Sequence, residues 1–90
     1  MIIEFDKSFE KSLDRIKNKA FYPKIESIIL KFEKANTFNE IQNVKKLTGF
    51  KNYYRVKLGE YRIGIEAIDK NTVRFILIAH RKEIYRLFPR

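Results

Sequence analysis

Arg55, Lys57 and Arg62 are the residues whose type and spacing best suit chemistry, because all of them fall in one short hairpin. Tyr53-Tyr54-Arg55-Val56-Lys57-Leu58 is followed by Gly59-Glu60 and then by Tyr61-Arg62-Ile63-Gly64-Ile65-Glu66. Gly59-Glu60 suits a two-residue turn with glycine in the first, left-handed position. Such a turn sets Leu58 opposite Tyr61, Lys57 opposite Arg62, Val56 opposite Ile63 and Arg55 opposite Gly64. Tyr54, Val56, Leu58, Tyr61, Ile63 and Ile65 then form a core face. The cations share the other face, where Gly64 is expected to leave open space beside them. Like charges directly opposite across a sheet destabilise it, so stability alone does not favour the arrangement. A bound anion accounts for it, and the hairpin reads as a phosphate site on rigid strands.

The chemistry such a site suits is cleavage of an RNA phosphodiester by its own 2′-hydroxyl. Negative charge grows on the non-bridging oxygens, and fixed Arg and Lys donors aimed there give the strongest stabilisation a protein can supply. The 2′-hydroxyl must lose a proton and the leaving oxygen must gain one. Lys57, crowded by positive charge that favours a neutral amine, is a candidate base. Tyr85, Arg81 and His80 follow the last strand, where the chain can return beside the hairpin. Lys45, Lys46 and Lys51 suit unspecific phosphate contacts. Tyr53 suits stacking on a base or shielding the sheet edge. Plainer readings stand beside these: helix packing for Tyr85, a strand-end cap for His80, a solvated face for the lysines. Glu66, on the strand face of Arg62, reads as a counter-charge.

Other chemistries lack their residues. The chain has no cysteine and one histidine, which removes thiol catalysis, disulfides and zinc hydrolysis. Its three glycines match neither a P-loop nor a dinucleotide fingerprint. Ser8, Ser12 and Ser27 fall in helical stretches without a nucleophile-elbow context. No metal or other cofactor is expected. The net charge of +9, concentrated after Val44, predicts a polyanionic partner, nucleic acid or an acidic protein. No apolar run approaches the ~20 residues of a membrane span, and the opening Met1-Ile2-Ile3-Glu4-Phe5-Asp6 lacks the regions of a signal peptide. A cytoplasmic protein without membrane contact is the expectation.

The elements that must position these residues read as one small domain over residues 1–90, with 44% hydrophobic and 14% aromatic residues. Ile2 to Phe5 reads as an edge strand. Asp6 or Ser8 caps a helix with Phe9, Leu13 and Ile16 on one face. Asn18-Lys19-Ala20 breaks it, and Pro23 opens a second helix with the stripe Ile25, Ile28, Ile29, Phe32 and Ala35. Asn36 to Val44 reads as a polar connection, and Lys45 to Gly49 as the approach to the hairpin. Thr72 to Ala79, nearly all apolar, predicts a central strand or one covered on both faces. His80 to Arg90 reads as a short helix or an irregular tail. The class is α+β.

Lys45-Lys46-Leu47-Thr48-Gly49, the hairpin from Tyr53 to Glu66 and His80-Arg81-Lys82-Glu83-Ile84-Tyr85 together resemble the RelE/ParE toxin superfamily of type II toxin–antitoxin systems. The archaeal RelE-type branch is the nearest in pattern, and the opening Ile3, Phe5, Phe9 and Leu13 agree with it. The resemblance implies a RelE-like fold, with helices on one face of a small twisted antiparallel sheet and the other face open. It implies a metal-independent endoribonuclease, an mRNA interferase that cuts mRNA at the ribosomal A-site and so inhibits translation. Its basic strand residues match Arg55, Lys57 and Arg62, its C-terminal arginine Arg81, and its terminal tyrosine Tyr85. Arg55 stands where some members carry lysine, which keeps a donor but removes a base. Either His80 or Arg81 serves as general acid. A cognate acidic, RelB-like antitoxin, mRNA and the ribosome are the implied partners. A ParE-like gyrase inhibitor and an inactive RNA- or antitoxin-binding module are the alternatives on the same fold.

Overall fold

The computed structural model describes residues 1–89. In chain order it forms β1 (Ile2–Phe5), α1 (Lys7–Asp14), α2 (Tyr22–Lys34), β2 (Val44–Lys46), β3 (Tyr53–Leu58), β4 (Tyr61–Asp69), β5 (Thr72–His80) and α3 (Ile84–Leu87). Short 3-10 turns at Lys19–Phe21 and Phe38–Glu40 link these elements. Asp6 caps α1, accepting from the Ser8 N–H at 3.0 Å, and Pro23 sits in the first turn of α2, where its missing N–H costs nothing. The predicted stripes are core: Phe9, Ile16, Ile25, Ile28, Phe32 and Ala35 are buried against Val56, Ile63, Ile65, Val73 and Phe75 of the sheet. Ser8 Oγ lies between the Asp6 carboxylate and the Ile76 carbonyl, with one proton to donate to either, and the Ile78 N–H donates to Ser12 Oγ at 2.9 Å. The serines of α1 therefore satisfy the flank of β5 that β1 is too short to cover.

The five strands run β1-β5-β4-β3-β2. The antiparallel meander β3-β4-β5 and the edge position of β1 follow expectation. Two features depart from it. β1 pairs parallel with β5, from Ile2 opposite Thr72 to Phe5 opposite Phe75, so the sheet is mixed rather than wholly antiparallel. Val44–Lys46, read from sequence as connection and approach, is a strand pairing antiparallel with β3 and placing Lys45 opposite Arg55. That strand is three residues long and mostly exposed, so it carries no alternation to read.

β5 is covered on both faces, as its apolar run predicts. A register shift between Gly64 and Ile65 inserts Ile76 as an extra residue on β5. The bulge reverses the alternation, so Phe75 and Ile78 face the helices while Leu77 and Ala79 face the other way. There they meet Ile84 and Phe88 from the C-terminal segment. The second face, expected to be open, therefore holds a small apolar cluster. The space expected beside Gly64 is filled as well: a Cβ added there would lie 2.6 Å from Cγ and Cδ2 of Phe88. Phe88, 1% exposed, seats its ring where strand β4 has no side chain. α3 itself is only four residues, so Arg81 lies in the turn before it rather than on the same helix as Tyr85.

Gly64→Ala forces the Phe88 ring off the sheet, and overpacking of this kind costs ~1–3 kcal/mol. Urea unfolding should record a loss in that range. Combining Gly64→Ala with Phe88→Leu should cost less than the two single losses added, because the smaller side chain removes the clash. Additive losses would show that the ring and the notch are not coupled.

Candidate nucleic-acid interface

The hairpin has the register read from the sequence, with Lys57 opposite Arg62 and Arg55 opposite Gly64. Gly59 takes φ 58 and Glu60 does not turn left-handed, so the turn is of the II′ kind that matches strand twist. The guanidinium groups of Arg62 and Arg55 donate to backbone carbonyls. Arg62 Nη1 donates to the carbonyls of Gly59 and Tyr61, each at 2.8 Å, which lays the guanidinium over the turn. Arg55 Nη1 reaches the Asn43 carbonyl at a long 3.4 Å, and its Nε is buried without a hydrogen-bond partner among the described residues. The ion pairs among the described residues are Arg74–Glu4, His80–Glu60 and Arg86–Glu83; none neutralises Arg55, Lys57 or Arg62.

Arg55 opens onto a cleft of about 440 Å³ that it shares with Lys45, Lys46, Tyr85 and Phe88. Strand β2 brings Lys45 beside Arg55, and α3 holds Tyr85, 60% exposed, over the same cleft. Among the described residues, none that lines it carries a carboxylate. Lys51 lies on an adjoining shallower cleft that also includes Lys46. Lys57 follows Arg55 on the same strand face, about 7 Å further along. Arg81 continues the β4–β5 pairing, its N–H donating to the Glu60 carbonyl at 2.7 Å, which puts its backbone at the turn that Arg62 covers. Lys45, Arg55, Lys57 and Arg62 thus form a cationic track on one face, with Lys46 and Lys51 lining the clefts at one end and the Arg81 backbone at the turn end.

His80 and Tyr53 are not on that track. His80 pairs with Tyr61, and the ring centroids are 6.0 Å apart on the helix side of the sheet. It lines a different cavity with Ser8, Ser12 and Arg15, and its Nδ1 accepts the Lys82 N–H at 3.2 Å, the geometry of a strand-end cap. Strand alternation is the cause: His80 follows Ala79 and must face the opposite side. Tyr53 is packed between Phe88, at 5.3 Å, and Phe50, at 5.7 Å, and is half-buried rather than presented to solvent. Glu66 lies opposite Arg74, so it is a counter-charge, though to Arg74 and not to Arg62. The side-chain hydrogen bonds that Arg74 donates to the Glu4 carboxylate hold it above its usual pKa, with Glu66 and Asp6 adding attraction. Phe50, which also lines the cleft, carries no expectation from the sequence. The signal that could have marked it is an aromatic ring set between Gly49 and Lys51 in a polar turn. Among the described residues no group of His, Cys, Asp or Glu is arranged to hold a metal ion, and no helix is long and apolar enough to cross a membrane.

Residues 3–85 match the family model described as ParE toxin of type II toxin–antitoxin system, parDE. The chain is similar to Toxin RelE3 of Methanocaldococcus jannaschii, with 38% identity over 90 residues, covering 99% of this chain and 100% of that one. It superposes on the toxin in the crystal structure of a RelB–RelE antitoxin–toxin complex from Methanococcus jannaschii with a TM-score of 0.78 and 37% identity, covering 96% of this chain and 99% of that one. The archaeal RelE–RelB complex from Pyrococcus horikoshii OT3 gives a TM-score of 0.70 at 24% identity, covering 92% and 97%, a likeness of fold alone. Over a shared sheet, shared helices and a full-length match in sequence, the chain belongs to the RelE/ParE superfamily and is a RelE-family toxin of a type II toxin–antitoxin system.

Proposed function

We propose that this toxin is a ribonuclease that cleaves mRNA in the ribosomal A-site by attack of the 2′-hydroxyl. What supports this reading is the cleft lined by Arg55, Lys45, Lys46 and Tyr85, where the described residues place no carboxylate, continued by cations that no acid among the described residues neutralises. Arg55 and Arg62 hold the non-bridging oxygens, whose charge grows as the 2′-oxygen bonds to phosphorus. Lys57 is the group placed to assist removal of the 2′-proton. The bond from phosphorus to the 5′-oxygen breaks, leaving a 2′,3′-cyclic phosphate. Arg81, at the turn end of the track, donates a hydrogen bond to the leaving oxygen. Guanidinium does not give up its proton, so the Tyr85 hydroxyl, over the same cleft as Arg55, is the proton source. His80 takes no part in this scheme, because it faces the helix side of the sheet. The antitoxin partner is an acidic RelB-like chain that covers the basic track in the inactive complex.

The test is mRNA cleavage in a translating extract, mapped to single nucleotides, beside an assay for gyrase-dependent DNA breaks. Arg55→Ala and Arg62→Ala should each lower cleavage on the order of 10²–10³, the effect of losing one preorganised donor. Arg62→Ala should leave a folded protein that is less stable by about 0.5–1.5 kcal/mol per hydrogen bond lost to the turn. Wild-type cleavage by either folded variant would end the assignment. DNA breaks without mRNA cleavage would favour a ParE-like gyrase poison, and neither activity would leave a binding module.

Tyr85→Phe separates the two roles of the tyrosine. Loss of the hydroxyl should slow cleavage by ~10²–10⁴ if it supplies the proton, with substrate affinity retained by the ring. A rate within twofold of wild type would reduce Tyr85 to a stacking platform.

A further inference from the structure

We infer that Phe50 is a second base platform, so that the toxin by itself holds two consecutive nucleobases of single-stranded RNA, one against Tyr85 and the next against Phe50. This rests on the ribonuclease reading for the identity of the polymer, and it adds a residue and a binding register which that reading does not contain.

Phe50 is 44% exposed, and a single exposed apolar residue by itself means nothing. Its surroundings give the exposure meaning. Phe50 lines both the cleft of Arg55 and Tyr85 and the adjoining one of Lys46 and Lys51, so it stands at their junction. The ring is held from behind. Tyr53 packs on it at 5.7 Å and 60°, and Phe88 packs edge-on against Tyr53 at 5.3 Å and 73°. Phe88 in turn sits in the Gly64 notch and is 1% exposed. A row of three rings therefore runs from the sheet to Phe50, which leaves the outermost ring supported and partly uncovered. The loop is shaped to present it: Gly49 takes φ 86, and the Phe50 N–H closes the turn on the Leu47 carbonyl at 3.3 Å.

Charge and aromatic surface also lie side by side here. Arg55, Lys45 and Lys46 line one cleft with Tyr85 and Phe50, and Lys51 joins Lys46 and Phe50 in the adjoining one. Cationic grooves with aromatic rings at intervals bind single strands by tracking phosphates and stacking bases, with little demand for base identity. Phe88 is the shared anchor of both platforms, since it backs Tyr53 on one side and belongs to the same C-terminal segment as Tyr85 on the other. Tyr53, the aromatic residue that the sequence suggests for stacking, serves as the support of this platform and not as its surface.

A short, fluorescein-labelled 2′-O-methyl oligoribonucleotide, which cannot be cleaved by 2′-attack, serves as probe for the isolated toxin. Phe50→Ala should weaken binding about 5- to 150-fold, the equivalent of the ~1–3 kcal/mol that stacking contributes per base. Phe50→Tyr should restore most of it, and Phe50→Leu, apolar but without a π-face, should not. The slope of log affinity against log salt should not change in Phe50→Ala, since no phosphate contact is lost. A scan with an abasic nucleotide supplies the decisive readout. At one position the abasic probe should weaken binding to wild type and have no further effect in Phe50→Ala, while the neighbouring position should show the same coupling to Tyr85→Ala. Additive losses at every position, a reduced salt slope in Phe50→Ala, or no binding by the wild-type toxin would each overturn the proposal. Because nothing is cleaved, coupling at Phe50 with no mRNA cleavage in extract would sink the ribonuclease reading alone. Cleavage with no coupling would sink only the platform.

Discussion

The contact on which the rest of this structure depends is the Phe88 ring against the bare backbone of Gly64. Strand β4 lies in the middle of the five-stranded order and passes between the two apolar clusters. Without a side chain at Gly64, the C-terminal segment can lie flat on the sheet and bury Ile84 and Phe88 completely. Full burial of a side chain of this size contributes roughly 1.5–3 kcal/mol, a meaningful fraction of the roughly 5–15 kcal/mol that holds a small domain together. A four-residue helix is far too short to form by its own hydrogen bonds. Its position is therefore a consequence of that ring and of Ile84, and so is the position of Tyr85.

The basic face shows the opposite logic, a local loss of stability kept in place by a strong scaffold. Lys57 and Arg62 face each other across adjacent strands, and Arg55 keeps one buried donor unpaired among the described residues. An unmet buried donor costs about 1–3 kcal/mol. Acids are present nearby and are used elsewhere: Glu4 binds Arg74 at 2.8 Å, and Glu66 lies opposite that same arginine. The result is a sheet face divided by charge. Carboxylates gather around Arg74 at one end, and the other end, toward the Gly59 turn, is left positive. Arg62 is steadied there by the turn's carbonyls, which are neutral partners and are readily exchanged for an anion.

The hairpin register, the core face, the capped first helix and the edge position of β1 are all legible in the sequence. Each is fixed by near neighbours: a Gly-Glu turn sets a register, and a stripe of apolar residues sets a face. What is not legible depends on partners far apart in the chain. The three-residue β2 becomes a strand only because β3 offers it an edge. The bulge at Ile76 reverses the facing of the end of β5 with no local mark beyond an unbroken apolar run. That reversal sends His80 to the helix side and Ala79 to the basic side, so the sheet separates His80 from the cations of the hairpin. Gly64 stands out in the sequence for its missing side-chain volume, but that volume is occupied from within the chain, by Phe88.

These observations give the site a definite mechanical character. The cations on β3 and β4 ride on paired backbone in the interior of the sheet, while Tyr85 and Phe50 hang from a short helix and a loop that are both fastened through Phe88 and Tyr53. In the proposed ribonuclease, the groups that meet developing charge would need fixed positions, which strands supply. The rings proposed to receive flat bases would tolerate more freedom, since stacking is forgiving of small displacements. A disturbance in the C-terminal segment would then act on the aromatic platforms first and reach the cations on the strands only later. Under the proposed function, binding and bond cleavage fall to different parts of the fold, the strands and the segments fastened through Phe88.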